Sequence, residues 1–386
     1  MTDERPPLAS GALDRDAATR ATPQLLHAAW QEPGARVLRM RGVEIPVVAA
    51  SAGDAMATTG AGIDSNPGSR TAVQMISESV RLSLIPPPER FQEAGEVEAA
   101  GYVYLGRMDD APVFGVGVPA ETGEPAVPEE PDASATNAEI DAAATRGTAK
   151  RSAEHLTGAG DERWAHPFEV AAELTDTERE LFAVCSALLR WHEAAGFSPR
   201  DGSETEVVLG GWGRRDARGG ELFPRTDPAV IVLIEHEERI LLGSNALWES
   251  GRFSLLAGFV EAGEPLEQTV AREVFEEAGV RLDGIEYVTS QPWPFPRSLM
   301  LGFRARLAAG ADPEDLSPDP EEISELRWFT RDELRDPAPG IILPMSVSIA
   351  RWMIDRWVAE ADTLAVGSAA GGVLESADAQ GDAIGR

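Results

Sequence analysis

Lysine is almost missing from this chain: of its 34 basic residues only Lys150 is a lysine, and the rest are arginines. Schiff-base chemistry and a phosphate-binding loop built on a lysine are thereby excluded from any site. Gene base composition accounts for the bias as well as function does. Cysteine is equally scarce, with Cys185 alone, so there is no disulfide within the chain and no cysteine metal cluster. Cys185 stands with Leu181, Val184 and Leu188 at helical spacing, behind a capping-box start at Thr175 and Glu178. A buried core thiol is expected there, not a nucleophile. Positive charge is also short, with 65 acidic residues giving a net charge of −31. Such a chain repels nucleic acid and anionic membrane at long range, so an anionic substrate must be met by local arginines and bound cations. No apolar run approaches the roughly 20 residues that span a bilayer. The opening Met1-Thr2-Asp3-Glu4-Arg5 lacks the basic-then-apolar layout of a signal peptide. A soluble, cytoplasmic protein with no membrane partner is the expectation.

What is present is enough apolar residue, 43% of 386, for two domains with linkers. Residues 20–118 carry short apolar runs such as Val37-Leu38, Ile45 to Val48 and Tyr102 to Leu105, and read as mainly β. Within them, 51–70 reads as a mobile loop. Residues 119–163, rich in Ala, Glu, Pro and Thr, read as a disordered insertion. A capped helix is expected over 175–195. From Asp227 the pattern alternates: strands at 229–234 and 239–242 joined across an acidic turn, a strand at 253–256 and a helix over 265–278. Strands at 287–289 and 299–307 follow, then helices near Arg331 and over 345–360. Residues 361–386 read as a disordered tail.

The most specific segment runs Gly258-Phe259-Val260-Glu261-Ala262-Gly263-Glu264 and, after seven residues, Arg272-Glu273-Val274-Phe275-Glu276-Glu277-Ala278-Gly279. Pro265 suits a first helical turn and Gly279 the left-handed position that ends a helix. Leu266, Val270 and Val274 form a buried stripe, while Glu273, Glu276 and Glu277 share a neighbouring face at i, i+3, i+4. Three like charges on adjacent turns weaken an isolated helix, and hard cations among them would relieve that, since Mg²⁺ and Mn²⁺ prefer carboxylate oxygen. Taken alone, a solvated acidic helix face would be the better reading.

Seven fixed identities at fixed spacing change the balance, because the segment resembles the Nudix box at every defined position. The resemblance implies an α+β fold with an α/β/α sandwich and divalent ions bridging a diphosphate to activate the water that attacks one phosphorus. By motif position, Glu273, Glu276 and Glu277 would be metal ligands and Arg272 would pair with Glu264 to brace the loop. Ala257 would offer a backbone carbonyl to a metal. Glu322, in Asp319-Pro320-Glu321-Glu322, matches a further metal-binding glutamate outside the box.

After the box comes Ser290-Gln291-Pro292-Trp293-Pro294-Phe295-Pro296-Arg297-Ser298. Alternating prolines and aromatics stiffen a surface on which bases stack, at about 1–3 kcal/mol each; equally, such a segment could pack its aromatics into a core. This motif resembles the signature of the NADH pyrophosphatase family, as do the stretch from Phe223-Pro224-Arg225 and the pair Trp191-His192. The family cleaves NADH and NAD⁺ to nicotinamide mononucleotide and AMP, works as a homodimer, and includes members that remove NAD caps from RNA 5′ ends. Carried over by position, Gln291, Pro292, Trp293, Pro294, Phe295, Pro296, Arg297 and Ser298 would line the substrate pocket, with Phe223 and Phe259 stacking on a base and Ala350 a late contact. The domain order implied is an N-terminal domain over 1–190, a ribbon-like linker over 191–225 and the Nudix domain over 226–360.

The family's zinc ribbon is degenerate here. Its four cysteine positions read Ser198, Asp201, Arg215 and Arg218, which cannot make a tetrahedral zinc site, so no structural zinc is expected. An ion pair of Asp201 with Arg215 or Arg218 is the expected substitute. His192 and His236 are expected to be structural or solvated. Two rival readings stay open: a broader ADP-ribose or diadenosine diphosphatase, and a catalytically silent module that senses NAD(H) or ADP-ribose.

Overall fold

The computed structural model describes residues 5–50, 80–88, 91–119 and 162–371; the expected mobile loop, and the insertion and tail apart from their ends, lie outside the described residues. The chain divides into two compact units, one of residues 1–229 with 290–300, the other of 230–289 with 301–386. Among the described residues no helix is long and apolar enough to cross a membrane. Helices and strands are both abundant and the class is α+β.

The first unit is β-rich. After α1 (Ala17–Arg20) and α2 (Pro23–Trp30) come β1 (Arg36–Met40), β2 (Ile45–Ala49), β3 (Val80–Leu82), α3 (Glu96–Ala99), β4 (Val103–Met108), β5 (Ala111–Gly117), β6 (Arg163–Ala165), α4 (Pro167–Val170) and α5 (Asp176–Ala194). One sheet has the order β1-β5-β4, with β1 parallel to β5, and another the order β3-β2-β6. A core of Leu26, Trp30, Val37, Phe91, Tyr102, Tyr104 and Phe114 sits beneath them, with Trp30 edge-on to Phe91, Tyr102 and Phe114. Helix α5 begins as its sequence requires: the Thr175 side chain accepts from the Glu178 N–H while the Glu178 carboxylate accepts from the Thr175 N–H. Cys185 is wholly buried in it, and burial raises its thiol pKa well above the usual range, which keeps it inert. A third small sheet, β7 (Thr205–Val208), β8 (Gly213–Asp216) and β9 (Glu221–Leu222), follows.

The second unit is built on β10 (Asp227–His236), β11 (Arg239–Asn245), β12 (Leu256–Phe259), α6 (Leu266–Ala278), β13 (Leu282–Trp293), β14 (Ser298–Leu307), β15 (Ile323–Thr330), α7 (Arg331–Arg335) and α8 (Ile349–Gly371). Its sheet order is β13-β14-β10-β11-β15, with β12 on β10. The acidic turn is the tight hairpin expected: His236 pairs with Arg239, and Glu237 takes the left-handed conformation at φ 54°. Val270, Val274 and Ala278 press α6 onto Val230, Val232, Leu241, Phe303 and Ile323 of the sheet.

Strands β10 and β13 outrun the stretches expected for them, and four further departures have a physical cause in the structure. Strand β12 starts three residues late, because the Phe253 N–H donates to the Ile342 carbonyl and Ser254 bridges to Gly243 instead. Pro265 caps α6 from an extended conformation and does not enter its first turn. Helix α8 starts at Ile349, where the Ser348 hydroxyl accepts the Arg351 N–H, and it runs past Glu360. The aromatic–proline segment is the tip of a β-hairpin: Gln291 to Trp293 close β13, residues 294–297 turn, and Ser298 opens β14. Pro292 is tolerated there because β13 is an edge strand.

Candidate functional site

The box opens with a loop closed on itself: the Glu264 N–H donates to the Glu261 carbonyl at 3.1 Å, and Gly263 takes φ 89°. Arg272, from the second turn of α6, then reaches back. Its Nε and Nη2 donate to the two oxygens of Glu264 at 2.9 Å each, and Nη2 also donates to the Phe259 carbonyl at 3.0 Å. The Thr269 hydroxyl adds a third hydrogen bond to Glu264 at 2.9 Å. This fork, first, and then Thr269 hold the Glu264 carboxyl down to about pKa 2. The expected Arg272–Glu264 brace is therefore formed. The same guanidinium contacts Glu273 and Glu276, both at 3.0 Å.

One turn on from Glu273 the charge is unsatisfied. Glu277 is 7% exposed; its one favourable partner is the Ala257 N–H, and its Oε2 has no hydrogen-bond partner among the described residues. Burial first, then the fields of Glu273, Glu322 and Glu276, push its pKa well above the usual carboxylate range. Burial likewise raises Glu273. Glu273 lies so close over Gly258 that a Cβ there would sit 1.9 Å from its carboxyl carbon, so only glycine fits. Glu322 comes from the loop before β15. That loop is tied to the end of α6 by Ser317 and Asp319 N–H groups donating to the Ala278 and Glu277 carbonyls, at 2.9 and 3.2 Å.

Among the described residues, no three acidic, histidine or cysteine side chains converge closely enough to form a ready coordination sphere. The donor set nonetheless fits a hard divalent cation. It offers oxygens only, one of them buried without a partner, and three neighbouring carboxylates disfavour the Glu277 charge in a way a cation would reverse.

The hairpin-tip residues, by contrast, are packed within the first unit. Trp293 stacks on Phe168 at 5.0 Å and 14°, and Phe295 meets Phe168 edge-on at 4.8 Å. Both rings are 6% exposed and Gln291 is wholly buried, donating to the Pro7 carbonyl at 2.6 Å. The Ser186 hydroxyl of α5 donates to the Pro294 carbonyl at 3.2 Å. Arg297 donates to Asp227 at 2.6 Å, Ser298 is buried, and Pro292 and Pro296 are half-buried. Of the other expected substrate contacts, Phe223 is exposed, Phe259 is half-buried beside the brace, and Ala350 is buried in α8.

In the ribbon-like segment Arg218 pairs with Asp201 at 3.1 Å, one of the two expected pairings, while Arg215 turns to Glu221 at 3.6 Å. Sequence reading missed Asp216, which is buried and accepts from the Gly220 and Arg218 N–H groups at 2.7 and 3.0 Å and from the Ser198 hydroxyl at 3.3 Å. Its signal was present as an Asp two residues before Arg218 and four before Gly220, an Asx-turn spacing. His192 is structural as expected, with Nε2 at 2.8 Å from the Gly211 carbonyl; the His236 ring lies near Trp328.

Residues 225–346 match the NUDIX domain family. The NAD-capped RNA hydrolase NudC of Mycobacterium bovis (strain BCG / Pasteur 1173P2) is 47% identical over 198 residues, which cover 48% of this chain and 62% of that protein. The NAD-capped RNA hydrolase NUDT12 of Homo sapiens is 34% identical over 208 residues, 50% of this chain and 44% of that one. The chain thus spans less than two thirds of the length of the curated relatives it matches. Among solved structures, a NUDIX hydrolase from Nitrosomonas europaea is 26% identical, covering 36% of this chain and 81% of its own, with a TM-score of 0.30.

Proposed function

Starting from a chain that carries a Nudix domain over residues 225–346, we propose that it is a divalent-metal-dependent hydrolase of the diphosphate bond in NADH and NAD⁺. The products would be nicotinamide mononucleotide and AMP, and the NAD cap of an RNA 5′ end is a second substrate of the same chemistry. The buried Oε2 of Glu277, without a partner among the described residues, carries this reading. Leaving it unpaired costs stability, a cost that a bound cation would offset.

Glu273, Glu276, Glu277 and Glu322, with the backbone at Ala257, would hold Mg²⁺ or Mn²⁺. When bound, the cation supplies charge neutralisation for the diphosphate and a lowered pKa for the attacking water. Arg272 holds the loop through Glu264 and fixes Glu273 and Glu276 in direction. With a cation there offsetting the burial and the like charges of Glu273, Glu322 and Glu276 that disfavour its charge, Glu277 would act as an ionised ligand. The substrate roles of Gln291 to Ser298, Phe223, Phe259 and Ala350, the boundaries 1–190, 191–225 and 226–360, the homodimer and the cytoplasmic setting belong to the same proposal. They rest on the likeness to the NudC relatives.

Product analysis with NADH, NAD⁺, ADP-ribose and NAD-capped RNA, each with Mg²⁺ and with Mn²⁺, tests it. Nicotinamide mononucleotide and AMP from NADH are expected. Turnover of ADP-ribose alone would favour the broader diphosphatase, and binding without turnover the silent sensor.

A further inference from the structure

Helix α5 carries a second feature that the glutamate cluster does not use. Ser186, whose hydroxyl holds the Pro294 carbonyl of the hairpin tip, lies four residues before Arg190 and therefore on the same helix face. Arg190 is half-buried, yet its Nε is buried without an acceptor and no hydrogen bond or ion pair reaches its guanidinium among the described residues. Glu193, one turn on, acts favourably through its field but forms no ion pair with it. Among the described residues this guanidinium has no anion, and its buried Nε–H, shielded from water, is left without an acceptor at a cost in free energy.

Its surroundings are those of a binding site. His166 is close enough for the charge of Arg190 to act on its ring, and burial first, then that charge, lower its pKa to about 4. His166 is thus neutral at physiological pH and adds no competing positive charge. Its Nδ1 accepts from the Phe168 N–H at 3.3 Å, which leaves Nε2 as the protonated donor. The His166 ring lies 4.9 Å from Phe168, which stacks on Trp293. One cation, one neutral N–H donor and an aromatic wall therefore stand together in the first unit.

We propose that Arg190 and His166 form an anion subsite that takes the phosphate of a nucleotide. The choice of phosphate over carboxylate, both of which suit the guanidinium fork, rests on the diphosphatase reading above. Either mononucleotide half of a dinucleotide could supply that phosphate, and the two are separable by experiment.

AMP and nicotinamide mononucleotide are titrated calorimetrically into the full chain in EDTA, so that no cation at the glutamate cluster contributes, with adenosine and nicotinamide riboside as phosphate-free controls. Wild type is expected to bind at least one nucleotide more tightly than its nucleoside. Arg190→Gln should weaken that nucleotide tenfold or more, and Arg190→Lys should recover part of the loss. The nucleotide affected identifies the source of the phosphate. The melting temperature of Arg190→Gln should not fall, since the change removes an unpaired cation. Equal nucleotide affinity in wild type and Arg190→Gln, or no nucleotide binding by wild type, overturns the proposal. Absence of NADH turnover by wild type would overturn the diphosphatase reading alone, because the calorimetric arm needs no turnover.

Discussion

Two buried carboxylates, Glu277 on the box helix and Asp216 in the ribbon-like segment, have opposite fates. Asp216 receives three hydrogen bonds, and its pKa lies below the usual value, first through the Gly220 N–H. Glu277 has the Ala257 N–H for one oxygen and, among the described residues, no partner for the other, and its neighbours add like charge. The first arrangement stabilises the folded chain by preferring the ionised acid. The second destabilises it by burying an acid that resists ionisation. A protein holds the second kind of group where chemistry requires it, so local dissatisfaction is the better pointer to a site than acidity itself.

The most damaging change on the dissatisfied side should be Glu277→Gln. Turnover on NADH should fall by on the order of 10²–10⁴, the range for losing a group that activates or positions the nucleophile. The metal-free fold should be no less stable, because a buried acid crowded by like charges is replaced by a neutral amide of the same shape. Turnover within a few-fold of wild type under saturating Mg²⁺ would end the assignment of this helix.

Next in size comes Trp293→Ala. With its ring on Phe168 and 6% exposed, truncation should cost about 3–5 kcal/mol of stability, read from denaturant unfolding. An unchanged midpoint together with a raised KM for NADH would show that the ring faces ligand instead.

That pair of outcomes marks where the sequence was readable. The Gly279 cap and the apolar stripe of α6 were legible because they lie within one short segment whose spacing fixes geometry, and the Arg272–Glu264 brace through the likeness of that segment to the Nudix box. The capping box at Thr175 and the buried Cys185 were legible from local spacing as well, whereas the pairing of Asp201 with Arg215 or Arg218 was suggested by the likeness to the family's ribbon, and Arg218 is the partner found. The burial of Trp293 and Phe295 was not, since their partners Phe168 and Phe182 lie more than a hundred residues earlier and no local period points to them. Nor was the lone oxygen of Glu277, which depends on a loop carrying Glu322 folding back on the helix end. Asp216 was not legible from the ribbon pattern, which marks only the positions where thiolates would stand.

On the satisfied side the effects should be smaller. Asp216→Ala should lower the melting temperature at neutral pH by uncapping both turns. The folded pKa of Asp216 lies below its ordinary 3.8, so its contribution is present above that pH and is lost as pH falls through the folded value. The gap in melting temperature between wild type and variant should therefore close in acid; a gap that persists there would mean packing, not charge, holds the turns. Asp201→Ala should do least, because its partner Arg218 is largely exposed and such pairs contribute little. A larger loss from Asp201→Ala than from Asp216→Ala would reverse the ranking.

The contrast itself is tested by adding cation. Mg²⁺ or Mn²⁺ titrated into EDTA-treated protein should raise the melting temperature of wild type progressively, by mass action on the folded state, at about 2.7 kcal/mol for cation at a hundred times its dissociation constant. The same titration on Glu277→Gln should give a much smaller rise, while Asp216→Ala should respond as wild type does. Equal shifts in wild type and Glu277→Gln, or no shift in either, would contradict the claim that the unsatisfied glutamate is there to receive a cation.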